Sequence, residues 1–574
     1  MNARICVLAA LLLLGMLVEK SKGWEAFVAT DSESGVKIKI ASPLDRFPEI
    51  GFLPVRVTIE NRTPTAREWK FRSILNCSGS SQIGTCISSE SLHVAADSVG
   101  GFDLLMPLVV NEVEKFYRTA SFEITGYAVV QRSNIGFPTD YHPGDRTVFT
   151  AFSKSLAARS MGLLVEEFKK TSRHFLVSAL DLDLLSADWR ALAGISCIWL
   201  TEAEFVVLRP EQRIAVKDYV TQGGALYICT QGPASAIRTE FGIAPDAKSG
   251  ASYVLGRVSL MEWDGRELSI PSAVEEINRV SDPRREQLTS SYSELPTFVN
   301  SVGRLRLNTS FLIAFIVVFA VVVGPFNLFW FARGAQRSRM FWTTPVISLA
   351  ATVVLGVLIV VQDGFGATGS RVLLTYLMPG EKKAVVMQEQ IARSGLLLSR
   401  SFKADEALFF NPINTSGIRP QEGSRTYEQS GSHYFGDWFA SRAVQGHFAE
   451  AIIPTRAEVR VLNSALLSES VPPILLSSLP VTLQEVRYLD DAGRSWHGQN
   501  LKTGEQLTLR LVKPSAFPAK DICGPLLQTA MAKVAGRKEH FWGVADDAPF
   551  LQTLSSIRWK QQKAIYVGPV TLTP

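Results

Sequence analysis

The sequence lacks the residue clusters that most catalytic and cofactor sites need. Its 574 residues include only seven His and six Cys, and the histidines form no H-x-x-x-H or Cys/His pattern with metal-ligand spacing. No Walker loop is present. The 59 basic and 54 acidic residues are mixed along the chain, without a long block of either sign. The sequence therefore predicts no metal, nucleotide or nucleic-acid site and no cofactor, and six cysteines in a chain of this length do not make a disulfide scaffold.

Hydrophobic residues are abundant, at 46% with a mean hydropathy of +0.12, and they are concentrated in three runs. The first run, residues 5–18, follows Arg4 and precedes the polar residues 19–23. This layout predicts a secretory signal peptide over residues 1–23, because the run is shorter than the roughly 20 residues that cross a bilayer. An uncleaved anchor is the alternative.

The other two runs, residues 311–331 and 341–361, carry no charge over 21 residues each. This length matches the roughly 30 Å of bilayer hydrocarbon at 1.5 Å per residue, so both are predicted transmembrane helices. Arg333, Arg337 and Arg339 lie in the loop between them, residues 332–340, which contains no acid. The positive-inside rule makes this loop cytoplasmic and the regions on either side of the hairpin extracytoplasmic.

The first span contains two residues that are unusual within a membrane, Pro325 and Asn327. A channel would need more polar lining than one amide. We therefore expect the pair to bend the helix and to specify a helix neighbour, within the chain or in a partner.

The regions outside the membrane divide by their periodicity. Residues 24–145 alternate apolar and polar side chains and contain turn signals, which predicts a small β-sandwich. Residues 146–300 alternate strand and helix patterns, which predicts a parallel sheet covered by helices on both faces. Residues 365–574 are predicted to form a further, mostly-β domain, in which residues 400–434 are too irregular to assign.

Cys77 and Cys86 lie in a Ser/Gly-rich stretch of the first region. An exported domain meets an oxidising environment, so they are a candidate disulfide pair, and two unpaired thiols are the alternative.

The clearest α/β unit is a helix that begins at Pro210, ends at Gly223-Gly224 and precedes the apolar strand 225–229. Asp181 and Asp183 follow a predicted strand that ends at Leu180. They lie near the edge where α/β sheets bind ligands and are weak candidates for ligand binding, because acids at such positions are more often turn residues.

The order of these parts resembles bacterial membrane proteins that carry a class I glutamine amidotransferase-like domain. The residues that carry the resemblance are the 210–229 unit, Gly-Pro-Phe-Asn at 324–327, Trp-Thr-Thr-Pro at 342–345 and Trp-Phe-Ala-Ser-Arg at 438–442. The resemblance implies a flavodoxin-like α/β domain and a two-pass protein of the bacterial cell inner membrane, whose two large regions are periplasmic.

Cys229 is the one candidate nucleophile, a thiol at a strand end followed by Thr-Gln-Gly. Active amidotransferases place a His and a Glu after the Cys, whereas no His lies between Cys229 and the first span. We therefore expect an inactive domain. The Gly-x-Gly-x-x-Gly at 364–369 leaves a membrane span instead of opening a helix, and we interpret it as a flexible linker.

Together these features predict a non-catalytic envelope protein that binds proteins or ligands, with other envelope proteins as partners. An exported cysteine hydrolase or amidotransferase that uses Cys229 is the alternative.

Overall fold

The computed structural model describes residues 25–30, 34–78, 83–109, 117–127, 129–137, 148–168, 170, 175–244, 250–280, 284, 286, 288, 302, 309–331, 334–413, 425–463, 471–513 and 519–572. The predicted signal peptide, residues 1–23, and Arg333 lie outside these residues.

The alternating pattern near the N-terminus forms antiparallel strands. Ile38, Val57 and Ile59 face the core while Lys37 is exposed, because one face of such a sheet packs and the other meets water. The order β1-β2-β3-β6 makes one sheet, and β4, β5, β7 and β8 belong to a second. The strands are β1 Glu25–Thr30, β2 Lys37–Ala41, β3 Gly51–Asn61, β4 Arg67–Ser78, β5 Ile83–Val94, β6 Ser98–Leu108, β7 Tyr117–Gly126 and β8 Val129–Phe137.

The α/β region predicted over residues 146–300 has its assigned strands and helices between residues 148 and 278. Its sheet has the order β10-β9-β11-β12-β14-β13 and is parallel except for β13. The helix from Pro210 and the strand that follows Gly223-Gly224 are confirmed; Gly224 is required because a Cβ there would meet the Tyr219 ring at 2.2 Å. The elements are β9 Val148–Ser153, α1 Lys154–Phe168, β10 Phe175–Leu180, β11 Cys197–Thr201, α2 Glu202–Val207, α3 Pro210–Thr221, β12 Ala225–Thr230, α4 Ser235–Phe241, β13 Ala251–Tyr253, β14 Gly256–Glu262 and α5 Ile270–Asn278.

The hairpin contains two helices that are long and apolar enough to cross a membrane, at Ser310–Phe331 and Arg337–Leu358. The first begins as α6, Thr309–Val321, and continues as a π-helix, Val322–Phe331. Pro325 lies inside that π-helix and supplies no N–H to the helical ladder, which is a recognised cause of local distortion. A 3-10 helix, Gly334–Arg339, and α7, Met340–Asp363, complete the hairpin.

Asn327 is fully buried between the two helices. Its Oδ1 accepts a hydrogen bond from the Thr343 hydroxyl at 2.7 Å, and its Nδ2 donates to the Thr344 hydroxyl at 3.0 Å. Both partners belong to the second helix. Asn327 therefore contacts the second helix of its own chain through both polar atoms of its amide, and its role in selecting that neighbour stays a prediction.

The remaining chain is β-rich. Its elements are β15 Ala367–Met378, β16 Lys383–Ser394, β17 Phe402–Lys403, β18 Phe409–Ile413, β19 Arg425–Ser430, β20 His433–Gly436, β21 Val444–Pro454, β22 Val459–Val461, β23 Ile474–Ser477, β24 Leu483–Leu489, β25 Ser495–Leu501, β26 Gln506–Thr508, β27 Arg510–Val512, α8 Ala519–Ile522, α9 Pro525–Val534, β28 His540–Ala545, β29 Ile557–Pro569 and β30 Thr571–Leu572.

One expectation for this part is wrong. Residues 364–369 are no flexible linker, because β15 begins at Ala367 and pairs with both β16 and β29 from its first residue. The second long apolar helix, α7, therefore passes almost directly into a nine-stranded sheet of order β18-β21-β16-β15-β29-β28-β24-β25-β27.

The regions before and after the hairpin share a sheet. Strands β17, β20 and β19 come from the stretch that the sequence left unassigned, and they extend the second N-terminal sheet in the order β17-β20-β19-β5-β4-β7-β8. Strand β19 pairs with β5 in parallel, with Tyr427 opposite Cys86. One hydrophobic core also contains residues of both regions, including Trp69, Phe71, Tyr427 and Trp438.

The α/β region packs against the β-rich part through buried ion pairs. Arg284 contacts the Glu450 carboxylate at 3.0 Å, and Glu450 is fully buried. Lys383 pairs with Asp218 of α3. A buried charge is tolerated only when it is paired, so these contacts fix where the α/β region sits on the β-rich part.

Candidate functional site at the carboxyl edge of the parallel sheet

The topology of the α/β sheet selects one edge for ligand binding. The chain runs from β9 to β10 on one side and then to β11 on the other side of β9. Doubly wound sheets bind ligands where the order reverses, outside the carboxyl ends of the strands. Here those ends are Ser153 and Thr201.

Glu204 organises the polar side chains at this edge. The backbone N–H and the hydroxyl of Thr201 donate to one of its carboxylate oxygens at 2.9 and 2.8 Å. The Ser155 hydroxyl donates to the other oxygen at 2.7 Å. Thr201 and Glu204 form a capping box that begins α2, so this carboxylate is used by the fold and both of its oxygens are occupied.

The predicted acids lie beside this network. The Asp181 carboxylate accepts a hydrogen bond from the Asp183 N–H at 3.1 Å and forms an ion pair with Lys154. Asp183 is exposed, and its carbonyl oxygen accepts from Arg56 at 3.1 Å. Asp181 thus faces the edge with its charge neutralised, whereas Asp183 lies on the surface next to the N-terminal region.

A further hydrogen-bonded pair lies at the same edge. The Thr230 hydroxyl, at the end of β12, donates to the Glu202 carboxylate at 2.6 Å. Hydroxyls and carboxylates that satisfy one another can still offer hydrogen bonds to a polar ligand, because each hydroxyl and carboxylate oxygen has more than one lone pair. Within the described residues, no group of three or more His, Cys, Asp or Glu could hold a metal ion.

The Cys229 side chain is buried and is not accessible from this edge. It is 1% exposed and belongs to an apolar cluster with Tyr227, Leu268 and Ala273. Burial, together with the nearby negative charge of Glu204, raises the pKa of its thiol to about 12. A pKa raised this far above neutrality keeps the thiol in its protonated form at neutral pH, and the thiolate is the nucleophilic form.

Cys77 and Cys86 lie on the neighbouring strands β4 and β5. Cys77 is opposite Gly84 and Cys86 is opposite Leu75, which makes the two cysteines diagonal neighbours on one face. Such pairs are roughly 7–8 Å apart at Cα, at the limit that a disulfide can span without backbone movement. The Cys77 side chain lies outside the described residues, so the disulfide stays a prediction, tested by mass spectrometry of unreduced peptides.

A cavity of about 50 Å³ lies at the opposite, amino-terminal edge of the sheet, between the α/β region and α9. Its lining includes Gln222, Arg284 and Lys533. Organic ligands usually occupy sites of roughly 300–1,000 Å³. This cavity has room only for a few solvent-sized molecules, so it is not a cofactor site.

Sequence reasoning missed five residues at this edge, namely Lys154, Thr201, Glu202, Glu204 and Thr230. Each of them closes or follows one of the strands of the parallel sheet, and that position is a signal that could have found them. The hydrogen bonds that join them depend on strand order, which the sequence does not state.

No family model matches the chain, and no curated protein matches it. Among solved structures, a calcium-binding mutant of Bacteroides uniformis β-glucuronidase 2 is 9% identical over 38% of this chain and 27% of its own, with a TM-score of 0.14. A Paenibacillus sp. cycloisomaltooligosaccharide glucanotransferase is 8% identical over 85% and 69%, with a TM-score of 0.16. The chain spans 27–38% of the length of the first glucuronidases it matches. Likenesses at this level support no inference about fold or activity.

Proposed function

We propose that this chain is a non-catalytic, two-pass protein of the bacterial inner membrane, and that its extracytoplasmic regions bind proteins or ligands within a membrane complex. We also propose that its α/β region is a flavodoxin-like, inactive glutamine amidotransferase-like domain. The strand order around β9 supports this assignment, because flavodoxin-like sheets reverse at the same point.

The observation that carries the topology is the sheet shared across the hairpin. Strands β5 and β19 pair along five residues, although the two membrane helices lie between them in the chain. Backbone pairing requires both strands to be on one side of the bilayer, because the hydrocarbon core would otherwise separate them. An even number of spans meets this requirement.

The turn of the hairpin supports the orientation. Arg337 and Arg339 are exposed on it, and short loops rich in Arg face the cytoplasm. Trp330 and Trp342 flank the turn and are 73% and 80% exposed. Tryptophans favour the headgroup layer, where the ring is buried and the N–H stays hydrated.

The alternative, a hydrolase that uses Cys229, has no support in the site. Burial raises the pKa of the thiol, and the carboxylates at the edge are occupied by a helix cap, an ion pair and the Thr230 hydroxyl. The polar edge around Lys154 and Glu204 is the surface that we propose for ligand or partner recognition.

The topology is tested with cysteines placed at three exposed positions, Glu211, Ser338 and Asp491. We expect a membrane-impermeant maleimide to label Glu211→Cys and Asp491→Cys on the outer face of intact inner membranes. Ser338→Cys should react only after the membrane is permeabilised, and the unsubstituted chain sets the background. Labelling of Ser338→Cys alone would reverse the orientation. Opposite results at the other two positions would be incompatible with the shared sheet and would overturn the proposal.

A further inference from the structure

An exposed apolar patch lies where the second membrane helix enters the β-rich region. It consists of Phe365, Leu396 and Leu398, which are 65%, 37% and 88% exposed. Single exposed apolar residues are ordinary, but large ones that cluster mark an interaction surface. Leu397, between two of them, is buried in the shared core, so it anchors the segment while its neighbours point outward.

Backbone hydrogen bonds hold this patch at the end of the helix. α7 ends at Asp363, and the Leu396 N–H donates to the Gly364 carbonyl at 2.9 Å. In return, the Gly366 N–H donates to the Leu396 carbonyl at 3.0 Å. Leu398 is two residues further, which is at most about 7 Å along the chain.

This position coincides with the headgroup layer. The charge-free run ends at residue 361, so Gly364 is only about 4–5 Å beyond it along a helix. The headgroup layer is roughly 5–7 Å thick on each side of the hydrocarbon. Phe365, Leu396 and Leu398 therefore lie at the depth where apolar side chains can enter the boundary of the bilayer.

The charge of the segment fits the same surface. Residues 393–403 contain Arg393, Arg400 and Lys403 and no acid. Arg400 pairs with Asp437 at 3.1 Å while its side chain stays 50% exposed. Basic residues next to an apolar insertion add electrostatic attraction to anionic lipid headgroups.

The Trp-Phe-Ala-Ser-Arg segment at 438–442 supports the loop from behind. The Ser441 hydroxyl accepts a hydrogen bond from the Leu397 N–H at 3.1 Å, and the Arg442 N–H donates to the Gly395 carbonyl at 2.9 Å. Trp438 and Phe439 are buried beneath it. Residues 438–442 therefore hold the exposed leucines in place.

We propose that the loop 395–401, together with Phe365, inserts into the outer headgroup layer of the bilayer that the hairpin crosses, and so docks the β-rich region on the membrane surface. This inference rests on the proposed two-pass topology. The occupant of the patch is the lipid surface, because the patch is continuous with the membrane helix. The loop itself carries Arg400 and no acid, whereas Asp363, Asp405 and Glu406 lie outside it.

The test uses a fluorescent amino acid at Leu398, Leu349 or Leu511 in the full chain, reconstituted into vesicles of phosphatidylcholine and phosphatidylglycerol with lipid-borne quenchers at shallow or deep positions. Leu349 lies on α7 and reports insertion of the hairpin. Leu511 is the matched control, because it is an exposed leucine, at 48%, in the same region. Following the strand pairing from β27 across the sheet to β15 places Leu511 at the same level as Leu377. That level is ten residues, about 33 Å, along the strand from the membrane exit.

We expect shallow quenchers to act on position 398 at least about threefold more strongly than on position 511, and deep quenchers to act mainly on position 349. Quenching at 349 with equal, weak quenching at 398 and 511 would refute the docking and leave the topology standing. Absence of quenching at 349 would refute the topology itself. Protection of position 398 from both lipid quenchers and aqueous iodide would show that protein covers the patch, and would also overturn the proposal.

A variant provides an independent check. Leu398→Asp changes a side chain that is almost entirely exposed, so the melting temperature in detergent should not change. With the fluorophore at position 365, we expect this variant to reduce shallow quenching at least about twofold, whereas Leu511→Asp should leave it unchanged. Equal quenching in both variants would contradict the insertion.

Discussion

At the scale of the residue, burial decides which polar side chains of this protein can act. Cys229, His447 and Glu450 are all chemically capable groups, yet each lies among packed side chains with at most 1% of its surface exposed. Burial disfavours the charged form of a thiol or an imidazole, so it moves the pKa of Cys229 upward and that of His447 downward. Glu450 keeps a partner in Arg284.

Cys229→Ser is expected to preserve the cellular role of the protein, because a thiol with a pKa of about 12 is not a nucleophile at neutral pH. Intact-mass analysis should show no adduct on Cys229 after iodoacetamide treatment of the folded protein at pH 7, and full reaction after denaturation. Stoichiometric labelling of the folded protein, or loss of function in a well-folded Cys229→Ser variant, would restore the hydrolase alternative.

His447 is expected to make the fold sensitive to mild acid. Its Nε2–H donates to the Trp438 carbonyl at 2.7 Å, and its Nδ1 has no hydrogen-bond partner among the described residues. Burial lowers its pKa from 6.5 to about 4. As the pH falls, this imidazole takes up a proton at a higher pH in the unfolded chain than in the folded one. The contribution of neutral His447 to the free energy of unfolding is therefore complete above pH 6.5 and is lost between pH 6.5 and 4. Between pH 7 and 5 the free energy of unfolding is expected to fall by about 2 kcal/mol.

The measurement compares melting temperatures of the detergent-solubilised protein at pH 7 and 5. His447→Phe should lower stability at both values but shrink the difference between them. Phe410→Leu is the control, since it removes the ring stacked on His447 at 4.8 Å and retains the titrating group. If His447→Phe kept the full pH difference, the group responsible would lie elsewhere.

At the scale of the element, the hairpin shows how one polar residue specifies a helix pair. Without water, an apolar helix gains little by contacting another rather than lipid, so hydrogen bonds and close packing select the neighbour. Asn327 supplies both a donor and an acceptor to the second helix. The sequence predicted this role, but it could not say whether the partner was in the chain or outside it.

Asn327→Leu is expected to loosen the hairpin by about 0.6–1.7 kcal/mol, the range for hydrogen bonds between membrane helices. A double-mutant cycle with Thr343→Val checks this: the two single variants should each lower the melting temperature, and the double variant should be less destabilised than their sum. Thr352→Val is the control, because that hydroxyl donates to Ser348 of its own helix. Strictly additive effects of Asn327→Leu and Thr343→Val would show that they do not interact.

At the scale of the whole molecule, the regions before and after the apolar hairpin fold together. The regions on either side contribute strands to one sheet and side chains to one core, so neither is an independent unit with its own complete core. The α/β region is held against this body by Arg284 and Lys383. The sheet that contains β5 can therefore be completed only after the last third of the chain has been synthesised.

A chain that ends at residue 363 is expected not to accumulate as a folded protein. It would lose β19, which leaves the edge of β5 unpaired. Cys86 and Ile87, which lie opposite Tyr427 and Glu428 and are buried in the full chain, would then be exposed to solvent. Protease resistance of residues 34–137 in membranes measures the effect, and co-expression of exported residues 364–574 should restore it. A chain lacking only residues 571–574 is the control. Equal resistance of the 1–363 chain and the full chain would contradict the shared core.

The sequence by itself determined the local elements of this protein. Charge-free runs of 21 residues predicted the two long apolar helices. The helix–strand unit from Pro210 to Cys229 followed from capping signals and periodicity, because these are properties of neighbouring residues. The tertiary structure alone decided that β5 pairs with β19, that Glu204 joins Ser155 to Thr201, and that Leu396 lies against Gly364 at the end of the second apolar helix. Those contacts join residues up to about 340 positions apart, and periodicity carries no information about which distant strand or loop a segment meets.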